Sequence, residues 1–115
     1  METKMAIGAL AALAQDSRLA VFRLLVQTGP AGMAASKIAE QLGLPASSLS
    51  FHLKELTHAG LLAPRQDGRF VIYSANFTTM NALVAFLTES CCGGNPCGPL
   101  PACVAAADST TSQPG

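Results

Sequence analysis

The chain's four cysteines, Cys91, Cys92, Cys97 and Cys103, all fall between residues 91 and 103, and the rest of the sequence has none. Thiolates gathered without a nitrogen or oxygen partner suit a soft, thiophilic ion. Cys91 and Cys92 are adjacent, Gly93-Gly94 lets the chain reverse, and Asn95-Pro96 sets a turn that brings Cys97 back towards the pair. A pyramidal ion such as trivalent arsenic or antimony takes three sulfurs and no fourth ligand. Zinc takes four, and Cys103 completes a tetrahedral set, so zinc and cadmium stay open at this point. The adjacent pair alone suits a trivalent arsenical with one methyl or phenyl group, which leaves thiols only two positions. Two other readings compete: a thiol redox switch, and a remnant carrying spare thiols. A helix C-terminus presents the wrong end of its dipole to stabilise a thiolate, which argues against the redox switch. The clustering also argues against a disulfide framework, because no bridge would tie one element to another.

The chain ahead of this segment is organised around Pro45–Leu62, P-A-S-S-L-S-F-H-L-K-E-L-T-H-A-G-L-L. Pro45 suits a helix start, and Ser47 or Ser48 is the expected N-cap. Leu49, Leu53 and Leu56 recur at i, i+4 and i+7 as one buried stripe. Gly60 follows as the left-handed stop. The opposite face is expected to carry Ser48, Phe51, His52 and Glu55, with Ser47 and Lys54 at its margins. A face with Ser, His and Lys can donate to phosphates and base edges. The preceding run Ala35–Leu44 reads as a second short helix with Ile38, Ala39 and Leu42 inward and Gly43 at its end. Two short helices joined by a tight glycine-containing turn make a helix-turn-helix.

Leu61–Arg65 and Arg69–Ala75 read as strands around the turn dipeptide Asp67-Gly68. A basic residue on each side of that turn suits a wing on DNA. The expected DNA contacts are Ser36, Lys37, Ser47, Ser48, Ser50, Phe51, His52, Lys54, Arg65 and Arg69. Towards the N-terminus, Met5–Leu13 is apolar on nearly every face and suits an interface helix. The next helix is expected to take Asp16 or Ser17 as its N-cap and to bury Leu19, Phe22, Leu25 and Val26, with Arg18 and Arg23 salt-bridged or solvated. Met33–Gly43 is read as the positioning helix, with Met33 filling core. Phe77–Ser90 is read as the last helix, with Thr78 or Thr79 near its start and Met80, Leu83, Val84 and Leu87 on one face.

The run S-F-H-L-K-E-L-T-H-A-G-L-L resembles the S-x-H-L-x-x-L-x-x-A-G-L-[VL] signature of the ArsR/SmtB family of metalloregulatory repressors, at Ser50, His52, Leu53, Leu56, Ala59, Gly60, Leu61 and Leu62. Phe51 departs from the Arg or Gln that many members carry there. Ala14–Leu25 resembles the family's entry segment. The resemblance implies a winged helix-turn-helix, mainly α with a small β-hairpin, whose first and last helices form a homodimer on double-stranded operator DNA. It also implies repression. Ala34–Ala39 carries no Cys or His where many members hold a ligand pair. The last helix has no His, and Glu89 is its one acid, so the zinc site other members build there is not expected. A C-C pair just past the last helix, with a third cysteine soon after, is similar to an atypical arsenic-responsive branch. Cys91, Cys92 and Cys97 match its ligands, and Cys103 is extra.

The organisation expected is a winged helix-turn-helix domain at 1–90, a ligand-binding segment at 91–103 and a disordered tail at 104–115. Half the residues are hydrophobic and 12% are charged, which is a globular composition. Zero net charge argues against strong non-specific DNA binding but leaves a specific binder open, since the position of charge matters more than its sum. No apolar run reaches the length of a membrane span and no signal-peptide pattern opens the chain, so a cytoplasmic protein with thiols is expected. The function expected is an operator-releasing repressor with arsenite or a trivalent organoarsenical as effector and no permanent cofactor. Rival classes are a small thiol-dependent reductase and a winged-helix binder without an effector. The reductase reading lacks a helix N-terminus or basic residue beside the thiols.

Overall fold

A computed structural model describes residues 1–89. In chain order it comprises α1 (Thr3–Leu13), α2 (Asp16–Thr28), β1 (Met33–Ala34), α3 (Ala35–Leu42), α4 (Ala46–His58), β2 (Leu62–Asp67), β3 (Phe70–Ala75) and α5 (Phe77–Leu87). One core holds these elements together. Val21 and Leu25 of α2, Ile38 of α3, Leu49 and Leu56 of α4, and Leu61 beyond it are fully enclosed. The stripe expected on α4 is therefore the face that docks the recognition unit on the domain. Among the described residues no polar or charged side chain is buried, so apolar burial carries the packing.

The sheet has three strands in the order β1-β3-β2, all antiparallel. The small hairpin expected from sequence is thus extended by Met33 and Ala34, which pair with Tyr73 and Ile72. This corrects the expected positioning helix: Met33 is a strand residue packed on the core, and α3 begins at Ala35. Gly32 makes the pairing possible. Its φ is +73°, and a Cβ there would lie 2.6 Å from the Tyr73 carbonyl oxygen. The hairpin turn falls one residue later than expected, on Gly68 and Arg69 between the paired Asp67 and Phe70. Pro64 lies on the outer strand β2, where a missing N–H is tolerated.

Each expected N-cap proves to lie too far along the chain. The extended residue before α2 is Gln15, whose side-chain oxygen accepts from Arg18 N–H at 2.9 Å, not Asp16 or Ser17. Asn76 caps α5 by accepting from Thr79 N–H at 3.1 Å, and Thr78 and Thr79 lie in the first turn, near the start as expected. Pro45 occupies the cap of α4 without a side-chain bond, so Ser47 and Ser48 lie inside the first turn. The buried stripe of α2 also differs: Val21 is enclosed, and Leu19 is exposed. Arg18 is neither salt-bridged nor merely solvated, since its Nε donates to the Ala12 carbonyl at 2.6 Å and braces the corner between α1 and α2. Arg23 is exposed, as one of its expected alternatives has it.

Two further observations bear on assembly. The faces of α1 and α5 away from the core are apolar and open, with Met5, Ile7 and Leu10 on α1 and Val84 and Leu87 on α5 all exposed. No single helix among the described residues is long and apolar enough to cross a membrane.

Candidate nucleic-acid interface

The interface is built on α3 and α4. α3 ends at Gly43, whose φ of +65° lets Leu44 N–H return to the Ala39 carbonyl at 3.1 Å. Pro45 then opens α4 immediately, so the turn between the two helices is short. At the far end, Gly60 N–H bonds to the Thr57 carbonyl at 3.0 Å and Leu61 N–H to the Leu56 carbonyl at 3.0 Å. That pair of bonds is a Schellman closure, and the enclosed side chains of Leu56 and Leu61 provide the apolar contact that accompanies it. The chain leaves α4 in a fixed direction, straight into β2.

Ser47, Ser48, Ser50, Phe51, Lys54 and Glu55 are all exposed. Ser47, Phe51, Lys54 and His58 follow i, i+4, i+7, i+11 and share one outward row. Ser47 and Lys54 are therefore central, not marginal as expected. His52 corrects the expectation in the other sense. It is half-buried, and its Nδ1 is enclosed without a hydrogen-bond partner among the described residues. Its ring and that of Phe51 form a T-shaped pair, with centroids 5.8 Å apart and planes at 63°. Only Nε2 is left to reach outward.

On α3, Ser36 and Lys37 are exposed in the first turn. Lys37 Nζ lies 3.7 Å from Glu40, an exposed pair one turn apart, which dilutes its field towards a phosphate. The two wing arginines have separate positions. Arg69 sits exposed in the turn at the wing tip, with no side-chain bond among the described residues. Arg65 Nη2 donates to the Ala31 carbonyl at 3.1 Å and ties the wing to the loop after α2. All ten expected DNA-contact positions thus belong to α3, α4 or the wing, and nine are exposed.

A shallow groove of about 320 Å³ joins α4 to the wing, lined by Lys54, Thr57, His58, Pro64 and Tyr73. Of these, sequence reasoning named only Lys54 as a contact. Tyr73 reaches the groove because β3 folds back along β2, a long-range pairing with no local signal. Cys91, Cys92, Cys97 and Cys103, Ser90, and the expected disorder at 104–115 lie outside the described residues. Among the described residues no group of three or more His, Cys, Asp and Glu side chains is placed to hold a metal ion.

A family model described as a helix-turn-helix domain matches residues 13–65, from the end of α1 into β2. The HTH-type transcriptional regulator YgaV of Escherichia coli (strain K12) is 30% identical over 87 residues, which is 76% of this chain and 86% of that protein. The chain belongs to the ArsR family of helix-turn-helix transcriptional regulators. Two solved structures are similar to this regulator. One is the homodimeric winged helix-turn-helix DNA-binding domain of Mb0332 from Mycobacterium bovis, a possible ArsR-family regulator. It has 25% identity, a TM-score of 0.60, and coverage of 80% of this chain and 85% of that one. The other is described as a possible transcriptional regulator for arsenical resistance, with 31% identity, a TM-score of 0.61, and coverage of 70% and 81%. Membership of the ArsR family assigns the chain to control of transcription, not to catalysis, and makes α4 its recognition helix and β2–β3 its wing.

Proposed function

We propose that this regulator is a homodimeric, cytoplasmic repressor that releases its operator when trivalent arsenic binds Cys91, Cys92 and Cys97. The observation that carries the reading is the position of the thiols. Cys91 follows Leu87, the last residue of α5, by four positions. α5 and α1 present the exposed apolar faces suited to a partner copy. A ligand at the end of α5 therefore acts where two protomers would meet. The similar protein described as a possible regulator of arsenical resistance supports the effector class, and the homodimeric neighbour supports the assembly.

The chemistry is ligand exchange without redox change. Arsenious acid has three hydroxyl groups. Each is lost as water as one thiol proton is taken up and one As–S bond forms. The product is a neutral, pyramidal trithiolate with no fourth position. In a dimer, two recognition helices enter successive major grooves about one helical turn apart. Ligand that holds the dimer in a form with the wrong spacing lowers DNA affinity by the same factor by which DNA lowers ligand affinity.

The test is fluorescence anisotropy of a labelled duplex from the region upstream of the gene, at fixed salt, with reduced protein. Release at micromolar arsenite, lost in the Cys91→Ser/Cys92→Ser variant and weakened in Cys97→Ser, is the expected result. Tight binding that ignores arsenite would sink the sensor. Unchanged release from Cys97→Ser would sink the three-thiol site and leave the two-thiol one suited to organoarsenicals.

A further inference from the structure

Phe51 is the one large apolar side chain exposed on α4, at 55% of its surface. The other exposed apolar side chains cluster chiefly on α1, α5 and the wing. Phe51 instead stands in the outward row between Ser47 and Lys54, with the His52 ring beside it in a T-shaped contact. The rest of the helix narrows what it can do. α4 reads A-S-S-L-S-F-H-L-K-E-L-T-H, with no Arg, Asn or Gln. The usual bidentate readers of guanine and adenine are missing, except for Lys54. In the major groove every base edge displays donors and acceptors, and the one apolar group on show is the C5 methyl of thymine.

We propose that Phe51 reads thymine in each operator half-site through apolar contact with its C5 methyl. This rests on the operator-binding reading above and gives it a base preference. The serines fix register on phosphates and Lys54 is left to a phosphate or a guanine edge, while Phe51 supplies a preference for the thymine methyl that neither polar group gives.

The experiment uses the full chain and a duplex that it enriches from a randomised library. Thymines of that duplex are replaced singly, then together, by deoxyuridine, which lacks only the methyl. Loss of one buried methyl weakens wild-type binding about four-fold, and loss in both half-sites about fifteen-fold. Phe51→Ala binds the thymine duplex more weakly by a similar factor and is indifferent to uracil. Phe51→Leu, which keeps an apolar tip, retains part of the sensitivity. Because Phe51 is exposed, both variants are expected to melt as the wild type does. Wild-type binding that ignores uracil at every position overturns the proposal, as does a Phe51→Ala protein still as sensitive as the wild type. If no duplex is enriched, the operator-binding reading fails and takes the proposal with it. A well-bound duplex with no methyl effect removes only the proposal.

Discussion

Gly32 passes directly over the backbone of Tyr73: a Cβ built on Gly32 would stand 2.6 Å from the Tyr73 carbonyl oxygen and 2.9 Å from Ile72 Cγ2. Its φ of +73° is also in the left-handed region. No side chain fits, for two independent reasons. Gly32→Ala must therefore push β1 off β3 or twist the loop. The expected loss is about 2–3 kcal/mol, read as a fall in urea midpoint at unchanged slope. Gly43 is the control. It is in the ordinary left-handed region, at φ +65° and ψ 34°, and among the described residues nothing stands within 4 Å of its Cβ position, so Gly43→Ala should cost only about 1 kcal/mol. Equal losses at the two positions would show that the contact with Tyr73 does not matter.

Asn76 holds the start of α5 through its side-chain bond to Thr79 N–H, while its own N–H donates to the Leu61 carbonyl at 2.8 Å. One residue thus ties the start of α5 to the end of the recognition helix. Asn76→Ala removes the cap and is expected to cost about 1 kcal/mol, whereas Asn76→Asp keeps an acceptor and should cost much less. Thermal melts of the three proteins decide it. If Thr78→Ala, with its exposed side chain, were as harmful as Asn76→Ala, the cap would be misassigned.

These two residues mark where the sequence was legible. The stripe Leu49, Leu53, Leu56 and the stop at Gly60 were readable because helical period and left-handed closure are local properties. The caps were not. A cap is set by where the backbone leaves extended geometry, and Gln15 at ψ 135° and Pro45 at ψ 144° each precede the residue that composition favoured. β1 was invisible because two residues carry no period, and only β3, distant in sequence, makes them a strand. At the interface, the list of exposed serines and basic residues was legible. The half-buried state of His52 was not, because its burial depends on what packs beside α4. The thiol segment is legible only as chemistry, since it lies outside the described residues.

The open faces of α1 and α5 give a prediction about assembly. Ile7 and Val84 are 61% and 48% exposed and contribute little to the protomer core. A glutamate at either position leaves the protomer's packing intact but places a charge where the partner copy would lie. Ile7→Glu and Val84→Glu are expected to shift the mass in light scattering towards the 11.8 kDa of one chain and to abolish tight operator binding. Arg23→Glu, on the exposed side of α2, should leave the mass unchanged. A persistent dimer in both interface variants would move the two-fold axis elsewhere.

The two wing arginines should separate under salt. Arg69 is exposed at the tip of the hairpin, with no side-chain bond among the described residues, while Arg65 spends a guanidinium N–H on the Ala31 carbonyl. If Arg69 meets a phosphate in each half-site, Arg69→Ala weakens binding about equally for all sequences and lowers the slope of log K against log salt by about 1 per wing. Arg65→Ala also loosens the loop after α2, so its effect should include a lower melting temperature, which Arg69→Ala lacks. Lys37, already beside Glu40, should change the slope less than Arg69 does. Anisotropy titrations at several salt concentrations, paired with melts, test all three. A salt slope that Arg69→Ala leaves unchanged would take the wing tip off the DNA backbone. The zero net charge of the chain makes the measurement decisive: with no general positive field to mask it, the loss of one real phosphate contact per protomer has to appear in the slope.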